Sequence, residues 1–96
     1  MKMNVVVLRD SLIPCFLVPS FINESPEAWF EGIQRSLIRA GADVLTRYKD
    51  LEAFSLGEYD DTTGLIRLIQ PVKLGSFDNV CIPLLKKLGE ESENDA

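Results

Sequence analysis

The chain has 96 residues with 46% hydrophobic, 26% charged and no histidine, ordinary proportions for one small globular domain. The missing histidine excludes His-based acid/base catalysis, Ser-His-Asp and Cys-His nucleophiles, and most zinc and haem sites. Net charge is −5, but Glu90, Glu91, Glu93 and Asp95 lie in the last seven residues, so residues 1–89 carry 11 acidic and 10 basic groups and are nearly neutral.

Lys2 followed by Val5, Val6, Val7 and Leu8, and then by Pro14 and Cys15, loosely imitates a leader with a lipidation cysteine. Arg9 and Asp10 interrupt the apolar run, and Pro14 stands where such a site needs a small residue, so no leader is expected. Eighteen uninterrupted apolar residues occur nowhere, which predicts no membrane span and a cytoplasmic location. Cys15 and Cys81 match no C-x-x-C spacing; two reduced, buried thiols are expected rather than a disulfide.

Asn4 to Arg9 is an apolar, β-branched run too short for a helix, and Cys15 to Val18 repeats it after the turn-prone Asp10, Ser11 and Pro14. These predict two adjacent strands, with Pro19 confined to an edge or strand end because it has no N–H to donate. Ser25, Pro26 and Glu27 then form a helix start: a cap, a first-turn proline and a carboxylate near exposed N–H groups. Trp29 or Phe30, Ile33, Leu37 and Ala40 recur at helical spacing, Glu31 and Arg35 form an outer i,i+4 pair, and Gly41 offers the stop. Asp43 to Asp50 reads as an irregular connection or short turn carrying the basic-aromatic cluster Arg47, Tyr48 and Lys49. Leu51 to Tyr59 and Leu65 to Ile69 make a hairpin around Asp60, Asp61, Thr62, Thr63 and Gly64, with Gly64 supplying a positive φ. Pro71 and Gly75 loosen the end of that last strand.

The order β-β-α-β-β predicts an α+β domain, residues 1–75, with one helix packed on a small antiparallel sheet. Residues 76–88 form an apolar C-terminal segment and 89–96 an acidic tail without regular structure. One helix covers one sheet face, so a homodimer through the other face or an edge is expected.

Glu58, Asp60 and Asp61 have the chemistry to hold a divalent cation, but they lack EF-hand spacing and are also what a hairpin turn prefers, so no metal and no cofactor are expected. A chain this short has little room for a carboxylate-lined cleft, and no catalytic residue is assigned. Arg35 and Arg39 on the helix, with Arg47, Tyr48 and Lys49 after it, supply phosphate-binding cations and a stacking ring; this set is the candidate nucleic-acid site.

The opening Met1-Lys2-Met3-Asn4-Val5, and above all Phe54-Ser55-Leu56-Gly57-Glu58-Tyr59-Asp60-Asp61-Thr62-Thr63-Gly64 followed by Pro71-Val72, resemble the small nonstructural protein of gokushoviruses, tailless single-stranded DNA phages of the Microviridae. The resemblance covers roughly residues 1 to 75. It implies a noncatalytic protein in the host bacterial cytoplasm that binds single-stranded viral DNA and assists genome synthesis or packaging. The alternative is an adaptor that engages a viral replication or capsid protein, or a host factor, through the sheet edge and the C-terminal segment.

Overall fold

A computed structural model describes residues 1–94. In chain order the elements are β1 (Lys2–Asp10), β2 (Cys15–Phe16), β3 (Ser20–Ile22), α1 (Pro26–Leu37), α2 (Ala42–Tyr48), β4 (Leu51–Asp60), β5 (Leu65–Ser76) and α3 (Asp78–Asn94). The expected α+β class and its β-β-α-β-β sequence hold, with two helices beyond the one expected.

The sheet is antiparallel throughout, in the order β2-β1-β4-β5, with β3 sharing the edge of β1 that β2 uses. The second strand is split where a single run over Cys15 to Val18 was expected: β2 pairs Arg9 with Phe16, the chain passes Pro19, and β3 resumes by pairing Val5 with Phe21. A proline without an N–H is accommodated between two short pieces better than inside one ladder. Before that edge begins, Asp10 folds a turn, its carboxylate accepting from the N–H groups of Leu12 and Ile13 at 2.8 and 3.2 Å.

α1 starts where its sequence says it should. Ser25, in extended conformation, accepts from the Ala28 N–H at 3.1 Å, and Pro26 is the first helical residue. Its expected stop at Gly41 falls three residues late: the helix ends at Leu37, and Gly41 is instead the N-cap of α2. The stretch expected to be an irregular connection is therefore a helix. Seven residues are too few to show a periodic stripe, and what holds them helical is tertiary: Leu45 is buried among Leu37, Leu51, Phe77 and Cys81.

The C-terminal segment also departs from expectation. The core does not stop at residue 75, because Phe77 and Cys81 are both fully buried in it and the Phe77 N–H bonds the Leu51 carbonyl at 3.2 Å. The helix continues through Gly89 to Asn94, so those residues are not an irregular tail; the last two positions of that expected tail lie outside the described residues. Pro83 sits inside α3 and removes one backbone donor.

All three helices lie on one face of the sheet. Leu51 and Ala53 of β4 face them, Leu8 and Leu74 flank the cluster, and Gly75 leaves room for the Phe30 ring, which a Cβ there would approach to 2.5 Å. The β4–β5 hairpin runs on past the helices and closes through Gly64 at φ 73°, as the turn residues predict. Between its ends, Gly57 at φ 144° sits in a bulge where a Cβ would lie 2.0 Å from the Arg67 carbonyl oxygen.

Candidate nucleic-acid interface

The five candidate residues divide among three places. Arg35 and Arg39 are exposed at the end of α1 and flank one shallow depression of about 520 Å³, whose other walls are Gly32, Ser36 and Ile38. Ser36 organises that end twice: its hydroxyl donates to the Gly32 carbonyl at 3.0 Å, and its carbonyl accepts the Arg39 N–H at 3.2 Å. No carboxylate lines the depression. The expected Glu31–Arg35 pair is not formed: among the described residues, neither Arg35, Arg39 nor Arg47 has a carboxylate within ion-pair distance. Uncompensated guanidinium groups, exposed and side by side, retain their full capacity for an anionic ligand.

Tyr48 lies one groove away. It is half-buried at the end of α2 and meets Phe77 in a T-shaped contact, ring centroids 5.7 Å apart. The rest of the ring lines a groove of about 390 Å³ between α1 and α2, whose apolar walls include Trp29, Ile33 and Val44 and which shares Gly32 and Ser36 with the arginine depression. A base stacking on Tyr48 has to enter that groove, beside Trp29. Trp29 was read from the sequence only as a core position, and helical spacing alone does not separate a core wall from a groove wall.

Lys49 belongs to neither. Its ammonium is 2.9 Å from the Asp50 carboxylate, in a separate depression near Glu52 and Asp78. With Asp50 paired to it and Asp78 nearby, the lysine leaves little net positive potential there. Arg47 is exposed in the last turn of α2.

The acidic hairpin residues are engaged locally. Asp60 accepts from the Thr62 N–H at 2.9 Å inside the turn, and the Asp61 carboxylate is 2.6 Å from the Met1 amine. The hydrogen bond from that amine pulls Asp61 below its usual carboxylate range, and the same bond raises the amine. Among the described residues no group of three or more Cys, Asp or Glu side chains is placed to hold a metal ion, and no helix is long and apolar enough to cross a membrane.

On the sheet face away from the helices, cross-strand pairing gathers a second set; Phe16 and Phe54 belong to the apolar surface that one helix could not cover, whereas their contact with Arg9 and the Phe21–Tyr59 pair were not signalled by the sequence. Arg9 lies over the rings of Phe16 and Phe54, 5.6 and 5.9 Å from their centroids, and those two rings meet edge to face at 5.5 Å. Phe21 stacks on Tyr59 at 4.9 Å. Pairs such as Phe21 and Tyr59 are made neighbours only by β1, which separates their strands, so no local spacing announces them.

Comparisons with protein families, curated proteins and solved structures give no match to this chain.

Proposed function

We propose that the chain is a noncatalytic phage protein that binds single-stranded viral DNA in the host cytoplasm and assists genome synthesis or packaging, with Arg35 and Arg39 as the phosphate anchors. One observation carries the site: two exposed guanidinium groups share a depression that contains no acid. The adjoining groove, with Trp29 and Tyr48 in its walls, offers aromatic surface a few residues away. Cations that track phosphates beside rings that accept bases are the two ingredients of single-strand binding. Arg47 adds a third cation on the neighbouring helix, whereas the pairing of Lys49 with Asp50 makes it the weakest contributor. The name of the ligand comes from the gokushovirus resemblance.

The competing adaptor reading is narrowed, because Phe77 and Cys81 of the segment it needs are buried in the core, while Ile82 and Leu88 of that segment stay exposed.

The test is fluorescence-anisotropy titration of labelled single-stranded DNA across a salt series. The double variant Arg35→Ala/Arg39→Ala removes two phosphate contacts. Its log K against log salt slope is expected to be shallower by about 1.4, twice the per-phosphate value for single strands. An unchanged slope overturns the residue assignment. No binding by the wild type at low salt, where electrostatic contacts are strongest, overturns the function and leaves the adaptor.

A further inference from the structure

The sheet face opposite the helices is apolar and has no layer of this chain over it. Its residues follow from the register: Val7 opposite Phe54, Arg9 opposite Phe16, Val5 opposite Phe21, Met3 opposite Tyr59, Tyr59 opposite Ile66 and Gly57 opposite Leu68. Val5, Val7 and Phe54 are buried there, yet they are not part of the cluster beneath the helices. They form the floor of a second, half-built core. Its rim is open: Phe16, Phe21, Ile66 and Leu68 keep 45, 46, 52 and 69% of their surface exposed.

We propose that this face is the interface of a homodimer in which a second copy of the chain packs its own open face against it about a two-fold axis. Three observations select a second copy. The first is area. The folded chain exposes 6540 Å², about 1,000 Å² more than the roughly 5,500 Å² expected for a compact monomer of this mass. A stable interface removes about 800 Å² from each partner.

The second is shape. The radius of gyration is 15.9 Å and the extents are 59 × 25 × 16 Å, against roughly 12.5 Å for a compact chain of this length. The molecule is a slab only 16 Å thick in its thinnest direction, and laying two slabs face to face gives both sheets a covered inner side.

The third is charge. The excess negative charge lies in the last seven residues, so the sheet face belongs to the nearly neutral part of the chain. Residues 11–23 along the β2–β3 edge contain no charged group at all. At the β1 and β4 end of the face, Arg9 is held over two rings and Glu52 is paired with Lys73, so the carboxylate there is already compensated. Arg67, the charged residue between Leu65 and Val72, is paired in register with Glu58 rather than with the open-face residues. The face therefore lets two copies meet with little like-charge repulsion, and a centre depleted of charge is what interface cores show. An isologous contact is self-complementary, as one uniform apolar face must be. Both helix layers then point outward, each with its own Arg35 and Arg39.

Size-exclusion chromatography with light scattering on the full chain, over a range of micromolar concentrations and without DNA, tests the proposal. The wild type is expected at twice the 10.8 kDa chain mass. Ile66→Lys/Leu68→Lys alters two exposed residues of the face and is expected to weaken self-association about tenfold or more, with the circular dichroism of the fold unchanged. Ile38→Lys, which alters an apolar residue 61% exposed on the helix side, is expected to leave the dimer intact. A wild type that stays monomeric overturns the proposal, as does a dimer that Ile66→Lys/Leu68→Lys leaves unchanged. A monomer whose Tyr59→Ala variant loses single-stranded DNA binding also overturns it, and reassigns the face to nucleic acid. Because mass is read without DNA, failure of the dimer leaves the arginine site standing, and failure of DNA binding leaves the dimer standing.

Discussion

Leu68 and Phe77 are nine positions apart in the chain, both large and apolar, and the fold treats them oppositely. Phe77 has no exposed surface and touches both Phe30 and Tyr48, whereas Leu68 keeps 69% of its surface in water. The difference is where each sits: Phe77 lies beneath the helices, whereas Leu68 lies on the face without a covering layer, in the part of the hairpin that projects past them. The side beneath the helices is a finished core. The other has a floor of Val5, Val7 and Phe54 with an open rim, so stability is concentrated on one face while the other is left available for contact. Phe77→Ala therefore removes a full aromatic side chain from a closed site, and is expected to cost about 3–5 kcal/mol in chemical denaturation. A loss comparable to that of an exposed substitution, within about 0.5 kcal/mol, would break the distinction between the two faces.

The hairpin sharpens the same contrast from the backbone side. It projects beyond the helices with little side-chain burial at its end, so its shape depends on local geometry. Gly57 holds φ 144°, and a Cβ there would meet the Arg67 carbonyl oxygen at 2.0 Å. Gly57→Ala is expected to cost about 2–3 kcal/mol through strain and displacement of β5. Hydrogen exchange should locate the loss in the hairpin while the Leu45–Phe77 region stays protected, and loss of protection in both regions would mean that the two sides unfold as one unit.

What could be read from the chain beforehand follows the range of the signal. The Ser25-Pro26 helix start and the Asp60–Gly64 turn are written in adjacent residues, and both stand as expected. α2 was not legible because its helicity depends on burying Leu45 against Phe77, a residue of a later element. The same applies to the C-terminal segment, whose apolar residues identify it as something to be buried without saying where. Of the candidate site, Arg35 and Arg39 were legible because they are four positions apart, in the last turn of α1 and the turn that follows it. The pairing of Lys49 with the adjacent Asp50 is local, but its placement in a depression beside Asp78 was not legible, since that depends on α3 folding back against the end of α2. The pairing of Phe21 with Tyr59 was not legible for the same reason, because β1 brings them together across 38 positions of sequence.

The two thiols provide the mildest probe of the contrast between faces. Both were expected to be buried, and both are free, but only Cys81 is enclosed; Cys15 is exposed, in the short edge strand whose neighbour Phe16 belongs to the open face. Burial pushes the Cys81 thiol above its ordinary value, with nearby Asp78 acting in the same direction. A thiol whose pKa is raised by folding stays protonated in the native state where the unfolded chain has already ionised. The unfolded state then binds fewer protons, so stability falls as pH rises above the unfolded thiol value of about 8.5. Cys81→Ala is expected to flatten that alkaline decline, at the price of a small cavity. A disulfide-exchange reagent at neutral pH should modify one thiol rapidly and the second only at the rate of opening of the Leu45–Phe77 core. If the homodimer forms through the open face, the Cys15 rate should also fall with rising protein concentration, because its neighbour Phe16 lies in the buried rim. A rate independent of concentration, in a sample that light scattering shows to be dimeric, would place the contact away from the β2 end of that face.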